Sequence, residues 1–431
     1  MPEDNAGITA TATDSWQQRW DTAVMGNYGT PQVELVRGQG SYVWDANSKR
    51  YLDFLSGIAV NALGHGHPAI TEAVTTQMHT LGHTSNIFAH PGVIAVAEKL
   101  VGLVGEQDPT GRSHGSTVFF CNSGAEANEA AFKIARATGR TKILAAERGF
   151  HGRTMGALAL TGQPDKRAPF APMPAGVEFF PFGDIAAVRD MADEDTAAIF
   201  VESIQGETGI IPAPPGFLTQ LRELCDELGI LLVVDEVQAG MGRTGQWFGF
   251  QAEGIVPDVI TMAKGLGGGL PIGACLATPR AQLLAKGMHG TTFGGNPVVC
   301  AAANAVIDTL KNEKVLDNVQ RVGGYIAEAL SDNPHVVEVR GRGLMLGVVL
   351  QGPLTVDPLD YGLLLNRPAP DVLRIVPPLN LSLAEAEEGV RAIEAMLRDT
   401  FGVASAPHPH GDGGNGEMGD HAADSNEPDH S

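Results

Sequence analysis

The stretch STVFFCNSGAEANEAAFKIARATGR, Ser116–Arg140, joins a strand pattern directly to a helix pattern. Its first part, STVFFCN, is a short apolar run typical of a buried β-strand. Ser123 is a favourable N-cap, and Glu126 three residues later gives a capping-box pattern, so the spacing predicts a helix. The start of that helix, at Gly124, would leave N–H groups free to bind a phosphate or a carboxylate. The signal is weak by itself, because many helices begin with Ser-Gly.

The same alternation of strand and helix continues along the chain. Further short apolar runs are KILAAE, AAIFVES and ILLVVDEV, and the segment GFLTQLRELCDELG before the last run has apolar residues at helical spacing. Gly229 is placed to end that helix in the left-handed conformation. The alternation predicts an α/β fold with a mostly parallel central sheet flanked by helices. From about residue 305, helices followed by short strands indicate a smaller α+β unit.

Composition excludes several classes of function. The chain has 431 residues, 43% hydrophobic, with 29 basic and 50 acidic side chains and hence a formal charge of −21. We therefore expect no binding to nucleic acid or to anionic membranes. No apolar run reaches about 18 residues, and the N-terminus lacks a secretory pattern. The four cysteines form no CxxC pair, which favours reduced thiols in a cytoplasmic protein.

Polar side chains follow several of the predicted strands, where ligands of open α/β sheets bind. Asp235 and Glu236 end the run ILLVV, and each could equally be a turn or capping acid. Phe150 and Arg153 follow KILAAE; the aromatic ring could stack on a flat ligand, and the guanidinium could bind a carboxylate. Glu202 and Glu207 follow AAIFV in the same way.

Two cations stand in apolar or glycine-rich surroundings. Arg374 lies within VLRIVPPL, where it either snorkels at a strand edge or binds an anion. Lys264 lies between PDVITMA and the glycines of TMAKGLGGGLPIG. A desolvated lysine at a strand end has a lowered pKa and becomes a nucleophile toward carbonyls. With a strand-end aspartate, a phosphate cradle and a stacking aromatic, these groups match what pyridoxal phosphate chemistry requires.

The chain resembles the class III pyridoxal-phosphate aminotransferases of fold type I, over about residues 16–400. The motifs that carry the resemblance are NYGTP, LDFLSGIAVNALGHGHP, LGHTSN, FFCNSGAEANEAAFKIAR, GFHGRTMGALALTGQ, DEVQAGMGRTG, TMAKGLGGGLPIGA and HGTTFGGNPV. Within this family it is most similar to the acetylornithine aminotransferases, mainly through SGIAVNALGH, GHTSN and FHGRTMG.

The resemblance implies a role for each site residue. Lys264 bonds to the cofactor aldehyde and shuttles the reacting proton, while Asp235 pairs with the pyridine nitrogen. Arg153 and Thr291 contact the substrate, and Arg374 takes the α-carboxylate of 2-oxoglutarate, with Glu207 neutralising it when the amino donor is bound. The implied cofactor-binding residues are Ser123, Gly124, Ala125, Phe150, Asp235, Glu236, Val237, Gln238, Lys264 and, reaching the neighbouring subunit's cofactor phosphate, Thr292. The resemblance thus implies a homodimer with shared active sites and no metal.

The resemblance also implies a domain division. We expect a large cofactor domain at 71–304 and a small domain at 305–402 that the N-terminal segment 16–70 joins. The Gly-, His- and Asp-rich residues 403–431 are predicted to be a disordered acidic tail. The chain departs from the family pattern at Ser203, where proline is usual, and at Ala239, where threonine is usual. Segment 351–365 is short where the family normally fits a helix.

The expected reaction transfers the δ-amino group of N2-acetylornithine to 2-oxoglutarate, in arginine biosynthesis. The alternatives are another ω-amino donor, namely ornithine, 4-aminobutyrate or succinyl-diaminopimelate, and a catalytically silent relative that acts as a binding protein. The intact Lys264, Asp235 and Arg153 favour an enzyme.

Overall fold

The computed structural model of the chain describes residues 15–402; the tail predicted at 403–431 lies outside the described residues. The helices are α1 Trp16–Ala23, α2 Ser56–Ala59, α3 Pro68–Thr80, α4 Pro91–Gly105, α5 Gly124–Ala137, α6 Met155–Leu160, α7 Pro164–Arg167, α8 Ile185–Met191, α9 Phe217–Leu228, α10 Pro297–Asn312, α11 Val315–Ser331 and α12 Leu383–Phe401. The strands are β1 Leu35–Gln39, β2 Tyr42–Asp45, β3 Arg50–Asp53, β4 Thr117–Cys121, β5 Lys142–Ala146, β6 Val177–Phe180, β7 Thr196–Glu202, β8 Ile204–Gln205, β9 Ile211–Pro212, β10 Leu231–Asp235, β11 Val259–Met262, β12 Gly273–Ala277, β13 Val336–Arg342, β14 Met345–Leu350, β15 Leu363–Leu364, β16 Asn366–Ala369 and β17 Val372–Ile375.

A seven-stranded sheet forms the centre, in the order β4-β12-β11-β10-β7-β5-β6. Strands β6, β5, β7, β10 and β11 run parallel, and β12 runs antiparallel to both of its neighbours. Every residue of β7 and β10 is buried, as expected for strands covered on both faces by helices. The predicted α/β class with a mostly parallel sheet is confirmed. Strand β12 reverses because only residues 263–272 connect it to β11, too few for a helical crossover.

The helix predicted after Ser123 is present as α5, with one difference at its cap. The Ser123 hydroxyl accepts a hydrogen bond from the Glu126 N–H, as the N-cap pattern predicts. The Glu126 carboxylate accepts from the Asn122 N–H instead of the Ser123 N–H, so the reciprocal half of the capping box is wrong. Helix α9 is also confirmed, and Gly229 ends it with φ of 67°.

Smaller sheets accompany the central one. Strands β13, β14, β17 and β16 form an antiparallel sheet, and α11 lies against β13 and β14. Strand β15 pairs in parallel with β3, so a strand near the C-terminus completes the sheet of β1, β2 and β3. The division into domains at residues 70 and 305 stays a prediction. Among residues 15–402, no helix combines the length and the apolar character needed to cross a bilayer.

The short segment 351–365 contains a 3-10 turn, Pro358–Tyr361, followed by β15. This short segment leaves the strand that carries Arg374 intact. Strand β17 pairs with β14 across four residues, with Arg374 opposite Gly347.

Candidate active site

A cavity of about 450 Å³ opens at the carboxyl ends of β5, β7, β10 and β11, beside the N-terminus of α5. This is the edge of a parallel sheet at which ligands bind. Ten of the predicted site residues line it: Ser123, Gly124, Ala125, Phe150, Arg153, Glu207, Asp235, Val237, Gln238 and Lys264. The sequence pattern thus singled out ten of the 21 residues that line this cavity, from five separate segments.

The N-terminus of α5 forms one end of the cavity. An added Cβ at Gly124 would lie 2.7 Å from Cγ1 of Val237, so only glycine lets these two walls approach so closely. The first turn of the helix presents N–H groups without intrahelical acceptors, beside the positive end of the helix dipole. This end of the cavity is suited to an anion such as a phosphate.

Asp235 ends β10 and is held by three donors. Its carboxylate accepts hydrogen bonds from the Val237 N–H at 2.9 Å, from Asn128 Nδ2 at 2.8 Å and from His151 Nδ1 at 2.7 Å. Burial opposes a charge on His151, but the hydrogen bond and the charge of Asp235 outweigh it and raise the pKa of the imidazole. The network fixes a negative carboxylate in a buried site, where it can stabilise a protonated ring nitrogen.

Lys264 follows β11 in the left-handed conformation, with φ of 45°. Its side chain borders the cavity and is only half-buried by surface area, yet protein surrounds the amine. Burial lowers the pKa of Lys264 to about 8; Asp235 opposes this shift and Arg374 reinforces it. A substantial share of the amine is therefore neutral near pH 8, the form that attacks a carbonyl carbon.

Two further acids in this region are protonated more easily than usual. Burial raises the pKa of Glu202 to about 7, although its carboxylate accepts from the Phe150 N–H at 3.1 Å. Burial also raises the pKa of Glu236 to about 7. The Glu236 carboxylate lies outside the cavity wall and accepts from the N–H groups of residues 249 and 250. The side chain of this predicted cofactor residue therefore braces the turn behind the site.

Arginines and one glutamate form the far side of the site. The guanidinium carbon of Arg153 lies 5.6 Å from the centroid of the Phe150 ring. Arg374 is buried on β17, does not line the cavity directly, and donates from Nη1 to Glu207 Oε2 at 3.2 Å. Its Nε donates to Asn366 Oδ1 at 2.8 Å, which fixes the plane of the guanidinium. Burial lowers the pKa of Arg374 despite the opposing charge of Glu207.

Thr291 and Thr292 lie outside the wall of this cavity. Thr291 is connected to it through Asn122, whose Nδ2 lies 3.2 Å from Thr291 Oγ1. Thr292 is exposed, next to Phe293, whose side chain is 59% exposed. Within a single chain, neither threonine reaches the space in front of Lys264.

The described chain can now be compared with known proteins. The family profile described as "Aminotransferase class-III" matches residues 24–397. The chain belongs to the class-III aminotransferases. It is 58% identical to an acetylornithine aminotransferase of Corynebacterium efficiens over 388 residues, covering 88% of this chain and 96% of that protein. It is 52% identical to the acetylornithine aminotransferase of Streptomyces coelicolor, covering 93% and 98%.

Solved structures of other aminotransferases share the fold. The ornithine aminotransferase from Toxoplasma gondii superposes with a TM-score of 0.83 at 31% identity, covering 89% of this chain and 94% of that one. N-acetylornithine aminotransferase from Stenotrophomonas maltophilia gives a TM-score of 0.73 at 37% identity, covering 87% and 98%. The cofactor of a class-III aminotransferase is pyridoxal phosphate, so the cavity must accept a flat phosphorylated pyridine.

The residues present fit that cofactor. Oε1 of Gln238 is buried and has no hydrogen-bond partner among residues 15–402, which leaves it available to a ring substituent. An added Cβ at Gly206 would lie 2.3 Å from this atom, so glycine is needed there to seat the amide. The phosphate end, the carboxylate of Asp235 and the amine of Lys264 complete the set of groups that the cofactor needs.

Sequence reasoning gave no role to three residues of the Asp235 network. Asn128 donates to Asp235, and its Oδ1 accepts from Thr261 Oγ1 at 2.9 Å. His151 was noted beside Phe150, but its bond to Asp235 joins residues 84 positions apart. Only Asn128 carried a local signal, because it lies four residues after Gly124 on the same face of α5.

Proposed function

We propose that this class-III aminotransferase transfers the δ-amino group of N2-acetylornithine to 2-oxoglutarate, yielding N-acetylglutamate 5-semialdehyde and glutamate, as a step of arginine biosynthesis. The observation that carries the proposal is the placement of two arginines around one amine. Arg153 lines the cavity, and Arg374 lies behind Glu207, which neutralises it. The relatives named acetylornithine aminotransferase support the same donor.

In this proposal the donor binds with its α-carboxylate on Arg153 and its δ-amine toward Lys264. Glu207 remains paired with Arg374 and neutralises its charge, so the uncharged part of the donor lies beside an uncharged part of the site. For 2-oxoglutarate, the γ-carboxylate takes Arg153 and the α-carboxylate takes Arg374, which requires Glu207 to leave. The Glu207–Arg374 pair thus acts as a gate that lets one cavity accept two substrates of different charge.

The residues divide the remaining work. Lys264 and the N-terminus of α5 would hold pyridoxal phosphate, which, when bound, withdraws electrons from the carbon that carries the amino group. Asp235 would favour a protonated ring nitrogen, and Phe150, which also lines the cavity, would contact the ring. Lys264 Nζ is the base that removes the proton from the amine-bearing carbon, because its lowered pKa leaves a useful fraction neutral.

A panel of donors tests the substrate assignment. Purified holoenzyme is assayed with 2-oxoglutarate and either N2-acetylornithine, ornithine, 4-aminobutyrate or succinyl-diaminopimelate. The highest kcat/KM is expected for N2-acetylornithine, because its acetyl group removes the second positive charge that ornithine carries and because relatives named acetylornithine aminotransferase support this donor. A higher kcat/KM for any other donor would replace the assignment, and inactivity with all donors after cofactor loading would favour a silent relative.

We further propose a homodimer with shared sites. An apolar face consisting of Ile87, Phe88, Ile94 and Phe293 is exposed, at 84%, 69%, 50% and 59%. Thr292 adjoins this face, so a second copy docked there would bring its Thr292 toward the first copy's phosphate end. Large exposed apolar surfaces of this kind mark association sites.

Subunit complementation tests the shared site. Lys264→Ala and Thr292→Ala chains are each expected to be impaired, and mixed dimers should regain activity because one cavity then has both groups. Mixed dimers without regained activity, or a monomer by sedimentation, would contradict the proposal.

We also propose a cytoplasmic location, supported by four buried, free cysteines. Cell fractionation tests this location.

A further inference from the structure

Lys166, on the short helix α7, lies against two residues of the cavity wall, Phe150 and Glu207. The segment around it is anchored on both sides. Before it, Gln163 Nε2 donates to the carbonyl oxygens of Arg148 and Gly149, each at 3.2 Å. After it, the Arg167 guanidinium lies 4.1 Å from the centroid of the Phe179 ring. The backbone that presents Lys166 is therefore fixed from two directions.

The Lys166 ammonium contacts the gate. Its Nζ lies 3.6 Å from Glu207 Oε1, while the other oxygen, Oε2, lies 3.2 Å from Arg374 Nη1. The same ammonium lies 5.0 Å from the centroid of the Phe150 ring, within range of a cation–π interaction. One carboxylate is thus shared between two cations, the partly exposed Lys166 and the buried Arg374.

We propose that Lys166 is a positioning residue of the gate, which receives Glu207 when the α-carboxylate of 2-oxoglutarate takes Arg374. The inference rests on the proposed function, because it deepens the Glu207–Arg374 gate. Without a second cation, Glu207 would leave its ion pair for water, and opening the gate would be more costly. With Lys166 in contact already, Glu207 exchanges one partner for the other by a small rotation.

The difference in burial sets the resting position of the gate. The Arg374 side chain is 2% exposed, and that of Lys166 is 24% exposed. A buried guanidinium needs a counter-charge more than a partly solvated ammonium does, so Glu207 rests on Arg374 until an anionic substrate competes. Lys166 therefore lowers the barrier to opening without holding the gate open.

Transient kinetics of the two half-reactions tests this role. Lys166→Met should raise the apparent Kd for 2-oxoglutarate about fivefold, the value of a partly exposed ion pair, and should not weaken the N2-acetylornithine half-reaction. Lys166→Arg should restore 2-oxoglutarate binding, because it keeps the charge. Lys311→Met is the matched control: it removes a lysine that pairs with Glu106 at 3.2 Å, away from the site, and should change neither half-reaction.

The Glu207→Gln background separates this inference from the gate itself. Suppose that Glu207→Gln weakens the donor half-reaction, as the gate requires. If Lys166→Met then raises the Kd for 2-oxoglutarate equally in the Glu207 and the Glu207→Gln enzymes, Lys166 acts on the substrate directly and the inference is wrong. Equal losses in both half-reactions for Lys166→Met would also overturn it. If Glu207→Gln alone changes neither half-reaction, the proposed gate fails first. Loss of the Lys166→Met effect in that background supports the inference.

Discussion

The lowered pKa of Lys264 predicts how fast the apoenzyme takes up its cofactor at each pH. Burial disfavours the ammonium and brings the pKa from 10.5 to about 8, so the neutral amine is depleted only below that pH. At pH 7 about 10% of the amine would be neutral, against about 0.03% for an ordinary lysine, a difference of roughly 300-fold.

Borohydride trapping measures the loading rate. Apoenzyme is mixed with pyridoxal phosphate between pH 6.5 and 10, quenched with borohydride at intervals, and the modified Lys264 peptide is quantified by mass spectrometry. N2-acetyl-lysine in the same buffers, with its rate first divided by its own fraction of neutral amine, corrects for ionisation of the cofactor itself. The corrected rate should rise about tenfold per pH unit at low pH and level off between about pH 8 and 9. A rate that still rises tenfold per unit above about pH 9.5 would refute the buried, neutral amine.

Further substitutions test the gate, the ring partner and the packing. Glu207→Gln should weaken the donor half-reaction roughly 30-fold, about 2 kcal/mol, because it leaves the buried Arg374 without a counter-charge. This loss is smaller than the loss expected for a fully buried ion pair, because Glu207 is 33% exposed. Stopped-flow traces with 2-oxoglutarate should show no matching loss. Asp235→Asn should lower kcat by about 100-fold or more while cofactor absorbance persists, and unchanged kcat would remove its role. Gly389→Ala should destabilise the fold by about 1–3 kcal/mol, since its Cβ would lie 2.0 Å from a buried aromatic ring. Gly324→Ala, in an equally helical but open position, should not lower Tm and serves as the control.

Local sequence patterns were sufficient to predict the helices and strands that bury a continuous apolar surface. The run LLVV in β10 and the N-cap at Ser123 each specify structure within a few residues, and both are confirmed. The reversed β12 was not predicted, because strand direction depends on how the connection after Lys264 folds back. That loop contains glycines whose turns carry no directional signal.

The site was only partly predictable for a related reason. Lys264 and Asp235 could be singled out because a charged residue at a strand end is unusual in itself. The partners of Asp235 could not be assigned to it, because Asn128 and His151 meet this carboxylate only in the fold, although Asn128 lies on the same face of α5 as Gly124. The contact of Lys166 with Glu207 likewise depends on how the fold brings α7 to a turn 41 positions further along the chain.

Nitrogen tracing shows whether the enzyme moves the δ-amino group of N2-acetylornithine to 2-oxoglutarate. N2-acetylornithine labelled with ¹⁵N at the δ-amino group is incubated with 2-oxoglutarate and the holoenzyme, and glutamate is analysed by mass spectrometry. The label should appear in the amino group of glutamate, and Lys264→Ala should abolish the transfer. Unlabelled glutamate, or release of the label as ammonia, would contradict this expectation.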